Sequence, residues 1–198
     1  LLEDPVLRIS EIIEKRSENI PFEKGYILSV GRLTHQKNFE FLIENFSKIQ
    51  NEIKKKLIII GSGEYEEKLK KLISKHNAEN FIRIIDYQDN IHKFYKNADC
   101  FILTSRWEDP GFVLIEAAVN NVPILSCDCP NGPKDFIKAE NNGYAYKNNS
   151  NSEFSLKLIK LIRNLKTHEV HQKKVNAKLF IKKYTMFSHY IKLKEVLK

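Results

Sequence analysis

Apolar segments long enough to cross a membrane are missing from this chain of 198 residues. The longest apolar runs, such as LIII at 57–60 and FVLI at 112–115, fall far short of the roughly 20 residues that a spanning helix needs. We therefore expect a cytoplasmic protein without a membrane span. The chain begins at Leu1 without a methionine, a basic segment or a cleavage site. We also expect that part of the natural N-terminus is missing.

Cysteine is scarce, and its three positions form no disulfide framework. Cys100, Cys127 and Cys129 are an odd number without regular spacing, which favours a reducing compartment. Cys127 and Cys129 would supply half of a metal site, but no second pair of cysteines or histidines stands at a matching spacing. We predict no metal site from these residues.

Several phosphate-binding motifs are absent as well. GSGE at 61–64 lacks the third glycine of a dinucleotide fingerprint and follows the second predicted strand, whereas the fingerprint follows the first. The P-loop pattern is missing, and so is an Asp-x-Asp motif that would hold a divalent metal on a diphosphate. If the protein binds a diphosphate, cationic side chains have to neutralise it.

Basic charge is concentrated at the C-terminal end. Residues 152–198 carry 12 Lys and Arg against 3 Asp and Glu, whereas residues 1–151 carry 21 against 22. The basic segment is either a solvated helical face or a surface that attracts anionic lipid headgroups. It lacks interleaved aromatic residues and a recognisable module for nucleic acid, so we predict no nucleic-acid partner.

Short runs rich in Ile, Val and Leu alternate with amphipathic segments after residue 25. The predicted strands are YILSV at 26–30, KLIII at 56–60, FIRII at 81–85, CFILT at 100–104, VPILS at 122–126 and GYAY at 143–146, and the predicted helices lie at 38–49, 64–76, 91–98 and from Gly111. Continuous apolar strands separated by helices are typical of a parallel sheet covered on both faces. We predict an α/β fold with a doubly wound, Rossmann-like parallel sheet.

The chain divides into three predicted parts. Residues 1–24 contain a helical stretch that ends before Pro21, and we interpret them as a linker or helical lead-in. Residues 25–150 form the α/β domain. Residues 151–198 form basic helices that we expect to pack on the same domain.

Ligands bind to such sheets beyond the carboxyl ends of the strands. The loops at that edge are GRLTHQKN at 31–38, GSGE at 61–64, DYQDN at 86–90, SRWEDPG at 105–111 and CDCPNGP at 127–133. We therefore expect a binding site where these five loops meet.

Two glutamates flank the helix that follows the fourth loop. Pro110 and Gly111 release the chain into this helix, whose first N–H groups attract anions or hydroxyl oxygens. Glu108 precedes it, and Glu116 lies within the apolar run GFVLIEAAV. Burying a carboxylate without donors costs on the order of several kcal/mol. Ligand hydroxyls would supply donors. A helix-dipole or internal salt-bridge role is the open alternative for Glu116, and the role of an ordinary acid at a helix N-terminus is the open alternative for Glu108.

Two cations stand at the same predicted edge. Arg32 and Lys37 follow Gly31, which gives a tight exit from the first strand. They are either surface charges or a pair that binds a diphosphate. Together with Glu108 and Glu116, they favour a nucleoside diphosphate sugar, with cations on the phosphates and carboxylates on the hydroxyls.

The arrangement resembles the C-terminal, donor-binding half of a GT-B glycosyltransferase of family 4, also called group 1. The matching segments are SVGRLTHQKNFEFLIENF at 29–46, LIIIGSGEYEEKLKKLI at 57–73, NADCFILTSRWEDPGFVLIEA at 97–117 and VPILSCDCPNGPKDFI at 122–137. The most specific feature is the E-x7-E spacing of Glu108 and Glu116 downstream of Gly-Arg and Lys. The resemblance covers about residues 25–147.

The resemblance implies a role for individual residues. Arg32 and Lys37 hold the donor pyrophosphate and stabilise the leaving nucleoside diphosphate. Glu108 contacts the donor sugar, and Glu116 binds the ribose hydroxyls. The further donor-binding positions are Gly31, Arg83, Ile85 and Tyr87, the last three around the base, together with Pro110, Gly111, Phe112 and Val113 beside the sugar. Of these, Arg32, Lys37 and Glu108 are the implied catalytic residues.

The resemblance also implies a retaining reaction without a metal or other cofactor, with a donor that family habit makes UDP-linked. Such enzymes build cell-surface polysaccharide, lipopolysaccharide or glycolipid. Their glycan or lipid-linked acceptor binds an N-terminal lobe that this sequence lacks, so we expect residues 1–198 alone to bind donor but to transfer little. Peripheral contact of the basic helices with the inner face of the membrane is a further hypothesis.

Two alternatives use the same fold. One is a GT-B-like sugar-nucleotide epimerase, and the other is a non-catalytic nucleotide-sugar-binding module. A phosphorylase would need a lysine motif for its cofactor, which is absent. The sequence departs from the common family pattern at Asp86, where glycine is frequent, and at Asn120 and Asn121, which replace a small residue and glycine.

Overall fold

The strands form one parallel sheet at the centre of the molecule. The computed structural model describes residues 5, 7, 23–138 and 141–197. Within these residues the strands are β1 (Tyr26–Val30), β2 (Leu57–Ile60), β3 (Ile82–Ile85), β4 (Ala98–Leu103), β5 (Ile124–Cys127) and β6 (Tyr144–Tyr146). Their order is β3-β2-β1-β4-β5-β6, and every neighbouring pair is parallel.

The strands are apolar because the sheet is covered on both faces. Ile27 and Leu28 are adjacent in β1, point to opposite faces, and are both fully buried. The register places Ile27 opposite Leu57 of β2 and Cys100 of β4. The predicted α/β fold with a doubly wound parallel sheet is confirmed.

Helices connect the strands within the described ranges. They are α1 (Phe39–Ile53), α2 (Glu66–Lys75), α3 (His92–Asn97), α4 (Phe112–Val119), α5 (Pro133–Lys138), α6 (Asn151–Arg163), α7 (His168–Phe180) and α8 (Met186–Val196). Short 3-10 turns lie at His35–Lys37 and Ile181–Tyr184. α1 packs against α2 and α6, whereas α4 packs against α3 and α7.

The C-terminal helices continue the same hydrophobic core. α6 buries Phe154, Leu158 and Leu161 and packs on α1 and β6. The Phe154 ring meets the rings of Phe41 and Tyr146 edge to face, at centroid distances of 5.5 and 5.3 Å. These contacts agree with helices that pack on the α/β unit, although the domain boundaries at 25 and 150 stay predictions.

The predicted lead-in at residues 1–24 lies outside the described residues, apart from positions 5, 7, 23 and 24. Of these, Leu7 is buried and pairs with Thr185 in an isolated parallel bridge. The Leu7 N–H donates to the Tyr184 carbonyl at 3.2 Å. Position 7 therefore lies beside the turn that precedes α8.

Candidate functional site

The strand order creates a crevice between β1 and β4. From β1 the chain continues outward through β2 to β3, then crosses back and continues through β4 to β6 on the other side. The loops after β1 and β4 therefore lead away from each other at the carboxyl edge. In open parallel sheets, ligands bind at such a topological switch point.

The loops after β1 and β2 are locked together through backbone contacts. The Leu33 N–H donates to the Ser62 carbonyl, and the Tyr65 N–H donates to the Leu33 carbonyl, both at 2.9 Å. A Cβ added to Gly61 would lie 1.9 Å from the Gly31 carbonyl oxygen. GSGE therefore uses its first glycine for close packing against the loop of Gly31.

Lys37 folds back over Gly31 and forms an ion pair with Glu108. A Cβ on Gly31 would lie 3.0–3.2 Å from three carbons of the Lys37 side chain. The Lys37 Nζ lies 2.7 Å from Glu108 Oε1 and 2.9 Å from Oε2. The Ser105 hydroxyl also donates to Glu108 Oε1. Glu108 is only 4% exposed, so its carboxylate is satisfied largely inside the protein.

The same two loops are joined by further hydrogen bonds. The Thr104 hydroxyl donates to the Lys37 carbonyl at 3.0 Å, and the Arg106 N–H donates to the Gln36 carbonyl at 2.8 Å. The Gln36 amide donates to the Trp107 carbonyl at 3.0 Å. These bonds hold the 3-10 turn that carries Lys37 against the loop that carries Glu108.

α4 begins directly after this loop without a side-chain cap. Gly111 adopts φ 85° at the N-cap, a left-handed conformation that glycine reaches without the steric cost of a Cβ. At the other end of α4, Asn121 adopts φ 61°, which asparagine tolerates better than most residues. Asn121 therefore holds a backbone conformation for which glycine is the usual residue.

Glu116 projects from α4 and meets a buried tyrosine. The Tyr95 hydroxyl lies 3.1 Å from Glu116 Oε2 and 3.2 Å from the Val113 carbonyl. Burial raises the pKa of Glu116, while the Tyr95 hydrogen bond and the Lys37 charge act in the opposite direction. The residue is partly exposed, so the prediction of a buried carboxylate holds only in part.

A cavity of about 370 Å³ opens beside Glu116 at the switch point. Its lining comes from the ends of β1 and β2 with the loops that follow them, the loop after β3, the start of α3, and α4. These residues are Val30, Gly31, Arg32, Ile60, Gly61, Ser62, Tyr87, Gln88, Asp89, Ile91, His92, Val113 and Glu116. Ligand pockets commonly have volumes of about 300–1,000 Å³. The cavity is therefore large enough for a nucleotide.

The structure brings together part of the predicted set. Five predicted positions line the cavity: Gly31, Arg32, Tyr87, Val113 and Glu116. Lys37 and Glu108 lie next to its wall through the contact of Lys37 with Gly31. Ile85 ends β3 and Phe112 begins α4, but neither lines the cavity.

Three predicted positions line other hollows. Arg83 lies with Lys56 and Glu79 around a cavity of about 210 Å³, because its place within β3 sets it back from the carboxyl edge. Pro110 and Gly111 line a cleft of about 370 Å³ together with Phe180 and Lys183. The donor-binding roles of these three residues stay predictions.

Several cavity residues were not singled out in the sequence. Gly61, Ser62, Gln88 and Asp89 lie in loops that were expected at this edge, but no motif marked them individually. Ile91 and His92 come from the segment just before α3 and from the start of α3, and Tyr95 of α3 lies behind the lining, at Glu116. Their spacing resembles that of any amphipathic helix, so only the sheet order reveals that they face α4.

The described residues contain no group of three or more His, Cys, Asp or Glu side chains that would hold a metal ion. In the same part of the chain, no helix is both long and apolar enough to cross a membrane. Cys100, Cys127 and Cys129 are free thiols and are all buried.

A parallel sheet in this order, with a cavity at its switch point, is typical of nucleotide-binding α/β proteins. The model of the family described as glycosyl transferases group 1 matches residues 10–178. The chain belongs to this family, as its resemblance predicted.

Two curated relatives illustrate the match. The chain is 38% identical over 134 residues to an uncharacterised glycosyltransferase of Methanocaldococcus jannaschii. This alignment covers 67% of this chain and 33% of that protein. It is 35% identical over 140 residues to the amylovoran biosynthesis glycosyltransferase AmsD of Erwinia amylovora. This alignment covers 71% of this chain and 39% of that protein. The chain thus spans well under half the length of these relatives.

The fold also matches that of a solved structure. A TarM mutant of S. aureus, in complex with fondaparinux, alpha-GlcNAc-glycerol and UDP, superposes with a TM-score of 0.78 and 26% identity. The match covers 90% of this chain and 37% of TarM.

Proposed function

We propose that this chain binds a nucleoside diphosphate sugar and forms the donor-binding half of a glycosyltransferase. The observation that carries the proposal is the cavity at the β1/β4 switch point, which has Arg32 and Glu116 in its lining. It combines an exposed cation with a carboxylate to which, among the described residues, only the Tyr95 hydroxyl donates. A diphosphate and a ribose supply the complementary groups.

The diphosphate binds beside the loop after β1. Arg32 is exposed at the cavity, and an arginine fork matches a phosphate through two parallel hydrogen bonds. Lys37 adds positive charge behind Gly31, although it is shared with Glu108. The uncapped N-terminus of α4 contributes partial positive charge at the same edge.

The two carboxylates take different parts of the donor. Glu116 faces the cavity and accepts hydrogen bonds from the ribose hydroxyls. Glu108 is held by Lys37 and Ser105, and its remaining acceptor capacity is directed to the donor sugar. In this proposal, Lys37 links the two functions because it contacts both the loop of Gly31 and Glu108.

We further propose a retaining reaction that needs no metal. As the glycosidic bond breaks, negative charge grows on the departing diphosphate, and Arg32, Lys37 and the α4 terminus stabilise it more than the ground state. A preorganised ion pair suits this role because it need not reorient during the reaction.

UDP is the proposed nucleotide, and glycan synthesis is the proposed pathway. The complex of TarM with UDP supports the nucleotide, and the amylovoran transferase AmsD supports a role in polysaccharide synthesis. Lipopolysaccharide or glycolipid products belong to the same proposal. The acceptor binds the part of the enzyme that these residues do not include, since the chain matches 37% of TarM.

Calorimetric titration with UDP, GDP and ADP tests the donor site, with and without EDTA. We expect saturable binding of one nucleotide that EDTA leaves unchanged and that Glu116→Ala weakens. Equal binding of all three nucleotides would favour a non-catalytic module. Failure of the folded, intact natural protein to bind any of them would overturn the proposal.

We also propose peripheral contact with anionic membrane through the basic helices. Residues 152–198 carry the basic excess of the chain, and α8 exposes Met186, Phe187 and Tyr190 beside Lys194. Exposed apolar and cationic side chains together suit an anionic lipid surface.

Sedimentation with vesicles measures this contact. We expect the protein to bind vesicles that contain phosphatidylglycerol. Salt should weaken this binding, and so should the triple variant Lys178→Glu, Lys182→Glu and Lys194→Glu. The matched control is the triple variant Lys48→Glu, Lys71→Glu and Lys75→Glu, whose positions are exposed in the part of the chain without basic excess. Equal binding of both triple variants to the vesicles would contradict the proposed membrane contact through the basic helices.

A further inference from the structure

A buried phenol stands behind the carboxylate of Glu116. Tyr95 is fully buried in α3, and its hydroxyl lies 3.1 Å from Glu116 Oε2. Burial raises the pKa of Tyr95 well above its ordinary value, so the phenol keeps its proton. Of the hydrogen bonds within the described residues, this one alone involves the Glu116 carboxylate.

The single phenolic proton has two acceptors in reach. The Val113 carbonyl is 3.2 Å away, but it lies inside α4, where an N–H four residues later is its ordinary partner. Glu116 Oε2 is closer, and as part of an ionised carboxylate it is the stronger acceptor, because hydrogen bonds to ionised acceptors are the stronger ones. The proton therefore points to Glu116.

This geometry leaves the two carboxylate oxygens in unequal positions. Oε2 receives the Tyr95 hydroxyl, whereas no hydrogen bond within the described residues reaches Oε1, and Glu116 lines the cavity. Resting on the donor site proposed above, we infer that Tyr95 is a positioning residue that fixes the Glu116 carboxylate so that its other oxygen receives the ribose hydroxyls. Tyr95 itself lines no part of the cavity and acts through Glu116.

The ionisation of Glu116 has contributors from several elements. Tyr95 comes from α3 and Lys37 from the turn after β1, and both favour the ionised form. Arg32, Asp89 and His92 also line the cavity. Because removing the phenol deletes only one of these contributors, its effect can be separated by comparing pH profiles.

Tyr95→Phe in the intact natural protein tests the inference, with Tyr144→Phe as the matched control. Tyr144 is also buried and donates to a carboxylate, Glu169, at 2.8 Å, but it lies in β6, away from the cavity. Binding of UDP is measured by calorimetry between about pH 5 and 8, with thermal unfolding to confirm that each variant is folded.

We expect Tyr95→Phe to weaken UDP binding about tenfold, as for the loss of a hydrogen bond to a charged group. The loss should be larger at low pH, because without the phenol Glu116 takes up a proton at a higher pH. The ionisation of UDP itself is common to all variants. Tyr144→Phe should bind like the wild type.

A background of Glu116→Gln gives an independent readout. Without a titrating carboxyl group, Tyr95→Phe should no longer shift the pH profile. A folded Tyr95→Phe protein with the affinity and pH profile of the wild type would overturn the inference while leaving the donor site intact. Wild type that binds no nucleotide would instead overturn the proposed function itself.

Discussion

Glu108 and Glu116 are eight positions apart, yet their surroundings differ. Glu108 is almost fully buried and receives Lys37 and Ser105. Glu116 is partly exposed, receives the Tyr95 hydroxyl and lines a cavity. The protein supplies a cation and a donor to the first carboxylate, whereas in the proposed function a ligand supplies donors to the second.

The loop before α4 and the helix itself thus combine a rigid ion pair with a carboxylate at the edge of the cavity. The Lys37–Glu108 pair joins the loops after β1 and β4, so it fixes the shape of the crevice. Glu116 bears a desolvation cost that burial imposes, and a ligand with hydroxyl groups would relieve it. Three substitutions test the rigidity of the loops around the crevice separately from the cost of burying Glu116.

The largest effect is expected when the ion pair is broken. Lys37→Met keeps an unbranched chain over Gly31 but leaves Glu108 buried without its cation, which should lower the free energy of unfolding by about 3–5 kcal/mol. Urea denaturation measures the change. Lys55→Met is the control, because its pair with Asp99 is far more exposed and should contribute about 0–1 kcal/mol. Similar losses in both variants would mean that the Lys37 pair is no more than a surface contact.

Gly61→Ala should have the next largest effect. Its Cβ would lie 1.9 Å from the Gly31 carbonyl oxygen, so the loops after β1 and β2 must separate, at a cost of about 1–3 kcal/mol. Gly31→Ala is the comparison, because its Cβ would meet the flexible Lys37 side chain at 3.0 Å. Urea denaturation should show that Gly61→Ala is the more destabilising change. The reverse order would contradict the conclusion that Gly61 allows the loops after β1 and β2 to pack closely.

The smallest change expected is a gain in stability. Since burial raises the pKa of Glu116 in the folded state, its contribution to stability is greatest below the unfolded pKa and is lost as pH rises through the folded pKa. Glu116→Gln should therefore raise the free energy of unfolding at pH 7, by about 0.5–2 kcal/mol. The gain should disappear near pH 4. A variant less stable than the wild type at pH 7 would show that Glu116 stabilises the fold.

Sequence reasoning reached the fold because the strands are continuous apolar runs. β1 matches its predicted bounds, and β4 begins at Ala98, two residues before the predicted start. α1 continues to Ile53, four residues beyond its predicted end, where Lys54 adopts a left-handed conformation. Helix ends depend on such local conformations, which the apolar pattern does not encode.

Single charged residues could be singled out from the sequence where they interrupt a predicted pattern. Arg32 is a cation in a loop at the sheet edge, and Glu116 is a carboxylate within the apolar run that forms α4. The Lys37–Glu108 pair joins residues 71 positions apart, and it becomes visible only once β1 and β4 are known to be neighbours. Tyr95 was missed for the same reason, since its place opposite α4 depends on packing rather than on a motif.

In the proposed function, Glu116 receives the ribose of a nucleoside diphosphate. This role is tested by comparing the binding of UDP and of 2′,3′-dideoxyuridine diphosphate to the wild type and to Glu116→Gln. In the wild type, loss of the hydroxyls should weaken binding about tenfold or more, as expected for hydrogen bonds to a charged acceptor. In Glu116→Gln the loss should be much smaller. An equal loss in both proteins would contradict the claim, because the hydroxyls would then be recognised elsewhere.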